Sequence, residues 1–296
     1  MMQGKIQFWP APAKLNLFLQ ITGKRDDGYH NLQTVFQFLD VVDRLRFEIR
    51  DDGKILRKTD LEGVKPEDDL VVKAAKILQQ TTGTSLGADI YLQKLLPLGG
   101  GVGGGSSDAA TTLMVLNHLW QTGVDTDELA KIGLDLGADV PIFIHGHAAF
   151  AQGVGEKLES VSPDEVFYLV VKPEVHISTA KIFSDKELTR DCPAIRICDL
   201  QIGTDKEAQV FDELGNVFEP VVARQYPEIA EVIQQLRKIS DARLTGTGAC
   251  VFAAFGSQED AQQAMAHLPD NCSAFIARGL NQSPLQTMLS AVEKSD

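Results

Sequence analysis

The sequence predicts an α+β protein of two domains. Three observations predict it. Residues 88–120 run from an alternating strand through a glycine-rich loop into an apolar helical pattern. The first fifty residues are rich in strand-like segments. Residues 167–277 follow the order β-α-β-β-α-β, that of a ferredoxin-like layer.

The elements follow in order. Leu15–Ile21, Val35–Phe38 and Arg44–Ile49 have strand composition. Val71, Ala74, Ala75 and Leu78 form one face of a helix over 70–81. Ala88–Lys94 reads as a half-buried strand. In the helix after the glycine loop, Ala109, Leu113, Leu116 and Trp120 share a face, and Ser106, Ser107 and Asp108 occupy positions suited to its N-cap. Asp125 and Glu128 form a capping-box-like pair for a helix ending near Leu136, with Gly137 as its C′ residue and Pro141 barring continuation. In the second half, Phe167–Val171 is an apolar strand, and Ile229, Val232, Ile233, Leu236 and Ile239 face one side of a helix. Two strands flank Gly246–Gly248, Ala261, Ala264, Met265 and Leu268 mark another helix, and Cys272–Ala277 is the last strand. Gly153, Gly155, Ser160, Ser162 and Pro163 cluster at the expected boundary, which gives domains 1–158 and 159–296.

Bulk properties narrow the partners. The 296 residues suffice for one large or two ordinary domains. No apolar run reaches the length of a bilayer span, and residues 1–10 have no signal-peptide core. A net charge of −13 disfavours nucleic acid and anionic membrane as partners, so an anionic substrate must be attracted by local groups. The four cysteines (Cys192, Cys198, Cys250, Cys272) lack C-x-x-C spacing, which suits reduced thiols in a cytoplasmic protein. The chain is expected to act on a small molecule as a monomer or weak homodimer.

Chemistry concentrates at the loop. Six of the seven residues Gly99–Gly105 lack a Cβ, and ordering glycine costs entropy, so something must approach this backbone closely. A glycine loop feeding a helix N-terminus suits a phosphate. No Gly-Lys-Ser/Thr follows, so it is not a Walker loop, and its match to a dinucleotide fingerprint is weak. Elsewhere, Lys14 and Asn16 share one face of a strand amid apolar neighbours, and a lysine there needs an anionic partner. Asp139 follows a helix end, as a base or a turn residue. Tyr29 and His30 flank a turn where they can stack on a ring, Phe183 can supply a second aromatic wall, and Leu244–Ala249 is a second small-residue loop.

Together, Ala13-Lys-Leu-Asn-Leu17, Asp27-Gly-Tyr-His30, Pro97–Ser107, Leu136–Phe143 and Leu244-Thr-Gly-Thr-Gly-Ala-Cys250 resemble the motifs of the GHMP kinase superfamily, in order and across nearly the whole chain. The resemblance implies the two-domain GHMP kinase fold, an N-terminal ribosomal-S5-like α/β domain followed by the ferredoxin-like α+β domain. It implies ATP as co-substrate with Mg²⁺, and phosphorylation of the 2-hydroxyl of a cytidyl-diphosphate ester of methylerythritol. By position, Asp139 corresponds to the general base and Lys14 to its paired lysine. Pro97, Leu98, Gly99, Gly100, Gly101, Val102, Gly103, Gly104, Gly105, Ser106 and Ser107 correspond to the ATP cradle. Asn16, Tyr29, His30, Thr179 and Phe183 correspond to the acceptor pocket. No protein ligand of Mg²⁺ is assigned; the Ser107 hydroxyl is a candidate because it lies beside the phosphates.

Overall fold

The computed structural model describes residues 7–61, 63–269 and 271–294. Residues 1–6 of the N-terminal stretch read above therefore lie outside the described residues.

The chain opens with a long antiparallel hairpin of β1 (Trp9–Lys24) and β2 (His30–Arg50). The two segments read separately as Val35–Phe38 and Arg44–Ile49 belong to the single strand β2, because exposed Asp40 and buried Asp43 between them leave the pairing with β1 to continue through Val42, Asp43 and Arg44. β3 (Ile55–Arg57), α1 (Leu70–Thr82) and β4 (Gly87–Gln93) follow. Asp69 starts α1 by accepting a hydrogen bond from the Val71 amide, and left-handed Gly83 ends it. Next come α2 (Gly104–Leu119), α3 (Thr126–Leu136) and α4 (Val140–His145), then the short strands β5 (Ala149–Gln152) and β6 (Lys157–Ser160). Val71, Ala74, Leu78, Ala109, Leu113, Leu116 and Phe143 pack against Phe38, Leu45, Ile90 and Leu92 in one core. Burying a side chain such as Phe38 contributes roughly 1.5–3 kcal/mol.

The second half contains β7 (Phe167–Pro173), α5 (Thr179–Phe183), α6 (Glu207–Leu214), α7 (Glu219–Gln225) and α8 (Pro227–Leu236). It continues through β8 (Ala242–Leu244), β9 (Val251–Phe255), α9 (Gln258–Met265), β10 (Cys272–Leu280) and α10 (Pro284–Glu293). β10, β7, β9 and β8 lie side by side in that order, every pair antiparallel, as the β-α-β-β-α-β reading requires. The two halves share one sheet: Gly279 and Leu280 at the end of β10 pair with Leu39 and Phe38 of β2. The division read at 158/159 falls within β6, which pairs with β5.

Three local readings are corrected. α2 begins at Gly104 with left-handed Gly103 as its cap, so Ser106, Ser107 and Asp108 lie inside the first turns rather than at the N-cap. The glycines bend into the helix before the serines arrive. Gly137 ends α3 with φ 171°, an extended conformation rather than a left-handed cap. The helix expected to stop before Pro141 does end at Leu136, and Pro141 stands in the first turn of the separate helix α4, where its missing N–H costs nothing. Ile239, placed on the helix face, lies beyond α8 and is exposed.

Candidate active site

A cleft of about 780 Å³ opens between the glycine loop, the β1–β2 hairpin and the 176–183 and 246–248 segments. β1 brings Lys14 and Asn16 to its floor. The strand carries irregularities between Pro12 and Lys14 and between Asn16 and Leu19, and in this stretch both side chains turn towards the cleft. Lys14 is buried, and its Nζ donates to Asn16 Oδ1 at 2.6 Å and to the Gly101 carbonyl at 3.1 Å. Its third oxygen neighbour is Asp139 Oδ2, also at 3.1 Å. The Phe36 ring centroid lies 5.1 Å from the ammonium.

Asp139 stands at the N-cap of α4 without making a capping hydrogen bond. Its side chain is 35% exposed, so it faces the cleft with Lys14 on one side. Asn16 is fixed in turn: Nδ2 donates to Thr34 Oγ1 at 3.0 Å, and its amide donates to Thr245 Oγ1 at 3.0 Å.

The glycine loop curls through left-handed Gly99, Gly101 and Gly103. Much of its need for glycine comes from the protein itself. A Cβ at Gly101 would lie 2.4 Å from the Thr245 carbonyl oxygen, and one at Gly100 2.6 Å from Cys250 Sγ. The Cys250 amide donates to the Gly100 carbonyl at 3.0 Å, and the Ala249 amide to that of Gly99 at 3.3 Å. The second small-residue loop thus clasps the first. Ser106 lines the cleft, but Ser107 is fully buried and outside it. Of the two hydroxyls, only that of Ser106 belongs to the cleft lining.

Tyr29, His30, Thr179 and Phe183 line the other end of the cleft. Tyr29 is 65% exposed at the hairpin turn, where its amide donates to Asp27 Oδ1 at 3.0 Å. The His30 and Phe183 rings are 5.2 Å apart, and Phe183 meets Phe218 edge-on at 4.8 Å. Burial, with the nearby charges of Arg190 and Lys24, lowers the His30 pKa, so its uncharged ring is favoured. Thr179 and Thr247 share a hydrogen bond of 3.0 Å between their hydroxyls.

Comparison with known proteins fits this geometry. Residues 69–147 match the model of the GHMP kinases N-terminal domain, and residues 205–274 that of the GHMP kinases C-terminal domain. The chain is 53% identical to the 4-diphosphocytidyl-2-C-methyl-D-erythritol kinase of Pseudomonas syringae pv. syringae, over 95% of this chain and 96% of that one. It is 51% identical to the enzyme of that name from Pasteurella multocida, over 98% and 95% of the two chains. The chain belongs to the 4-diphosphocytidyl-2-C-methyl-D-erythritol kinase family. A crystal structure of 4-(cytidine 5'-diphospho)-2C-methyl-D-erythritol kinase superposes with a TM-score of 0.76 at 30% identity, covering 92% of this chain and 99% of that one. Homoserine kinase from Cytophaga hutchinsonii shares the fold, with a TM-score of 0.70 at 16% identity over 96% and 97% of the chains.

In this kinase the structure also brings forward residues that the sequence did not single out. Phe218 stands behind Phe183 in the aromatic wall, and Thr34, Thr245 and Thr247 hold the cleft's polar side chains. Phe218 lies far along the chain from the other wall residues, so only its contact with Phe183 reveals it. Lys94 lines the cleft beside α2. Its ammonium is shared by buried Asp43 and Asp108. Burial and the neighbouring carboxylate of Asp43 push the Asp108 carboxyl up to about 7, against the pull of Lys94.

Proposed function

We propose that this kinase transfers the γ-phosphoryl group of ATP to the 2-hydroxyl of 4-diphosphocytidyl-2-C-methyl-D-erythritol, giving the 2-phosphate and ADP in the non-mevalonate isoprenoid pathway. The Lys14–Asp139 pair at 3.1 Å, lying between a glycine cradle and an aromatic pocket, carries the reading. A tertiary alcohol is a crowded, weak nucleophile. Asp139 takes its proton as the oxygen–phosphorus bond forms. Lys14 sits between that carboxylate and the Gly101 carbonyl, where its charge offsets the negative charge of the transferring phosphoryl group. The α2 amides and the backbone of Gly99–Gly105 receive the triphosphate.

Among the described residues no three His, Cys, Asp or Glu side chains gather to cage a metal. A Mg²⁺ ion accompanying the nucleotide fits a site without such a cage; the Ser106 hydroxyl would be its candidate protein ligand, and when bound the ion would neutralise phosphate charge. Asn16 and Thr179 are read as contacts of the acceptor. Tyr29, His30 and Phe183 are read as the clamp of its cytosine ring, for which a small aliphatic acceptor would have no use. We also read the chain as two domains, 1–158 and 159–296, supported by one core drawn from residues 11–151 and a second drawn mostly from residues 169–264 with Leu19 and Ile21 of β1, and as a cytoplasmic enzyme. Among the described residues no helix is long and apolar enough to cross a membrane.

The test is phosphoryl transfer from labelled ATP to the cytidyl compound, homoserine and mevalonate in parallel. Transfer to the cytidyl compound alone is expected. Activity on homoserine with none on the cytidyl compound would overturn the reading.

A further inference from the structure

Lys94, Asp43 and Asp108 form a charged group beside the cleft that the transfer chemistry proposed for Lys14 and Asp139 does not employ. Asp43 is fully buried, and its Oδ1 accepts from the amides of Leu95 at 2.5 Å and Leu96 at 2.7 Å. Its Oδ2 meets Lys94 Nζ, which also donates to Asp108 Oδ2 at 2.6 Å. The second oxygen of Asp108 is buried and has no hydrogen-bond partner among the described residues. Asp69, the next carboxylate to act on Asp108, is itself paired with Arg57 at 2.6 Å. One ammonium therefore answers two buried carboxylates, and of the three side chains only that of Lys94 reaches the cleft.

Its aim is specific. A Cβ at Gly104 would lie 3.1 Å from Lys94 Nζ, and a Cβ at Gly103 would lie 3.1 Å from Lys14 Cε. The two lysines thus flank consecutive residues where the loop becomes α2. Two carboxylates next to an anion cradle would repel phosphate, and the Lys94 ammonium presented at the helix start offsets part of that repulsion.

We propose that Lys94 is a second phosphate-binding lysine, which contacts the phosphate chain of the nucleotide at the α2 end of the cradle, and that Asp43 and Asp108 are positioning residues that aim it. The proposal rests on the glycine loop being the nucleotide's cradle and is independent of the acceptor's identity.

Binding of Mg·ADP and of adenosine, measured by calorimetry and competition without acceptor, tests the contact. Lys94→Met leaves two carboxylates unanswered, so it is made together with Asp108→Asn, which removes one charge of each sign. The folded double variant is expected to lose about tenfold or more in ADP affinity, the scale of a charge-assisted hydrogen bond, with adenosine binding unchanged. Lys94→Arg is expected to retain most of the ADP affinity. Unchanged ADP affinity, or equal losses for ADP and adenosine, would overturn the contact. Asp108→Asn alone is expected to raise KM for ATP about threefold while kcat and the acceptor KM hold. An unchanged KM for ATP, or a joint loss of all three parameters, would overturn the positioning role. ADP binding is read with no acceptor present, so its failure would leave the acceptor assignment standing.

Discussion

Lys14 answers three oxygens at once, from Asp139, Asn16 and Gly101, so the transfer centre depends on a single buried ammonium. Asp139→Asn is expected to lower kcat on the order of a hundredfold or more while ATP binding stays near normal, the scale of a lost general base; steady-state kinetics beside a binding titration checks it. Lys14→Ala is expected to cost a similar factor, and normal turnover would reduce it to a structural residue. His30 gives a pH dependence. Its pKa is lowered in the fold, so the folded protein resists a proton that the unfolded chain accepts near pH 6.5. Its contribution is whole above that pH and is lost as pH falls below it. KM for the acceptor is therefore expected to rise on acidification, and His30→Gln to flatten that rise. The expectation for Lys14 and Asp139 came from the order of the motifs around them, since alone Lys14 reads equally as a surface lysine and Asp139 as a turn residue. Lys94 was not legible, since it follows an ordinary alternating strand and its partners lie 51 and 14 positions away.

At the scale of elements, the junction of the glycine loop with α2 decides the cradle. Gly101→Ala would force a side chain into a φ of +76° and against the Thr245 carbonyl, so it is expected to lower the melting temperature and raise KM for ATP tenfold or more. Gly105→Ala meets only Leu70 Cδ1 at 3.6 Å and is expected to be tolerated in both measurements. Differential scanning fluorimetry and ATP kinetics on the pair separate crowding from mere loss of glycine. Helices with a clear apolar stripe, such as α1 and α8, were legible to within a few residues. The start of α2 was not, because glycine carries no stripe. α5 and α6 were missed as well, being short turns of helix in a polar stretch.

Across the whole molecule, β10 is the member common to both halves, pairing with β7 along its length and with β2 at its end. A further core, with Leu15, Phe18 and Phe150 from one half and Val170, Phe211 and Phe252 from the other, fills the space between them. Unfolding is therefore expected to be one cooperative event. Fluorescence of Trp9 and Trp120, which reports the first half, should coincide with far-ultraviolet circular dichroism, which reports both; separated transitions would show independent halves. The ferredoxin-like order was legible from periodicity, whereas the shared sheet was not, since two residues of pairing leave no pattern. The clasp between Gly99–Gly100 and Ala249–Cys250 reaches further, into the chain's birth on the ribosome. The cradle is encoded early but closed late. A nascent chain that has not yet released residues 245–250 leaves one side of Gly101 open, so the loop is expected to reach its final shape only after that segment has left the ribosome.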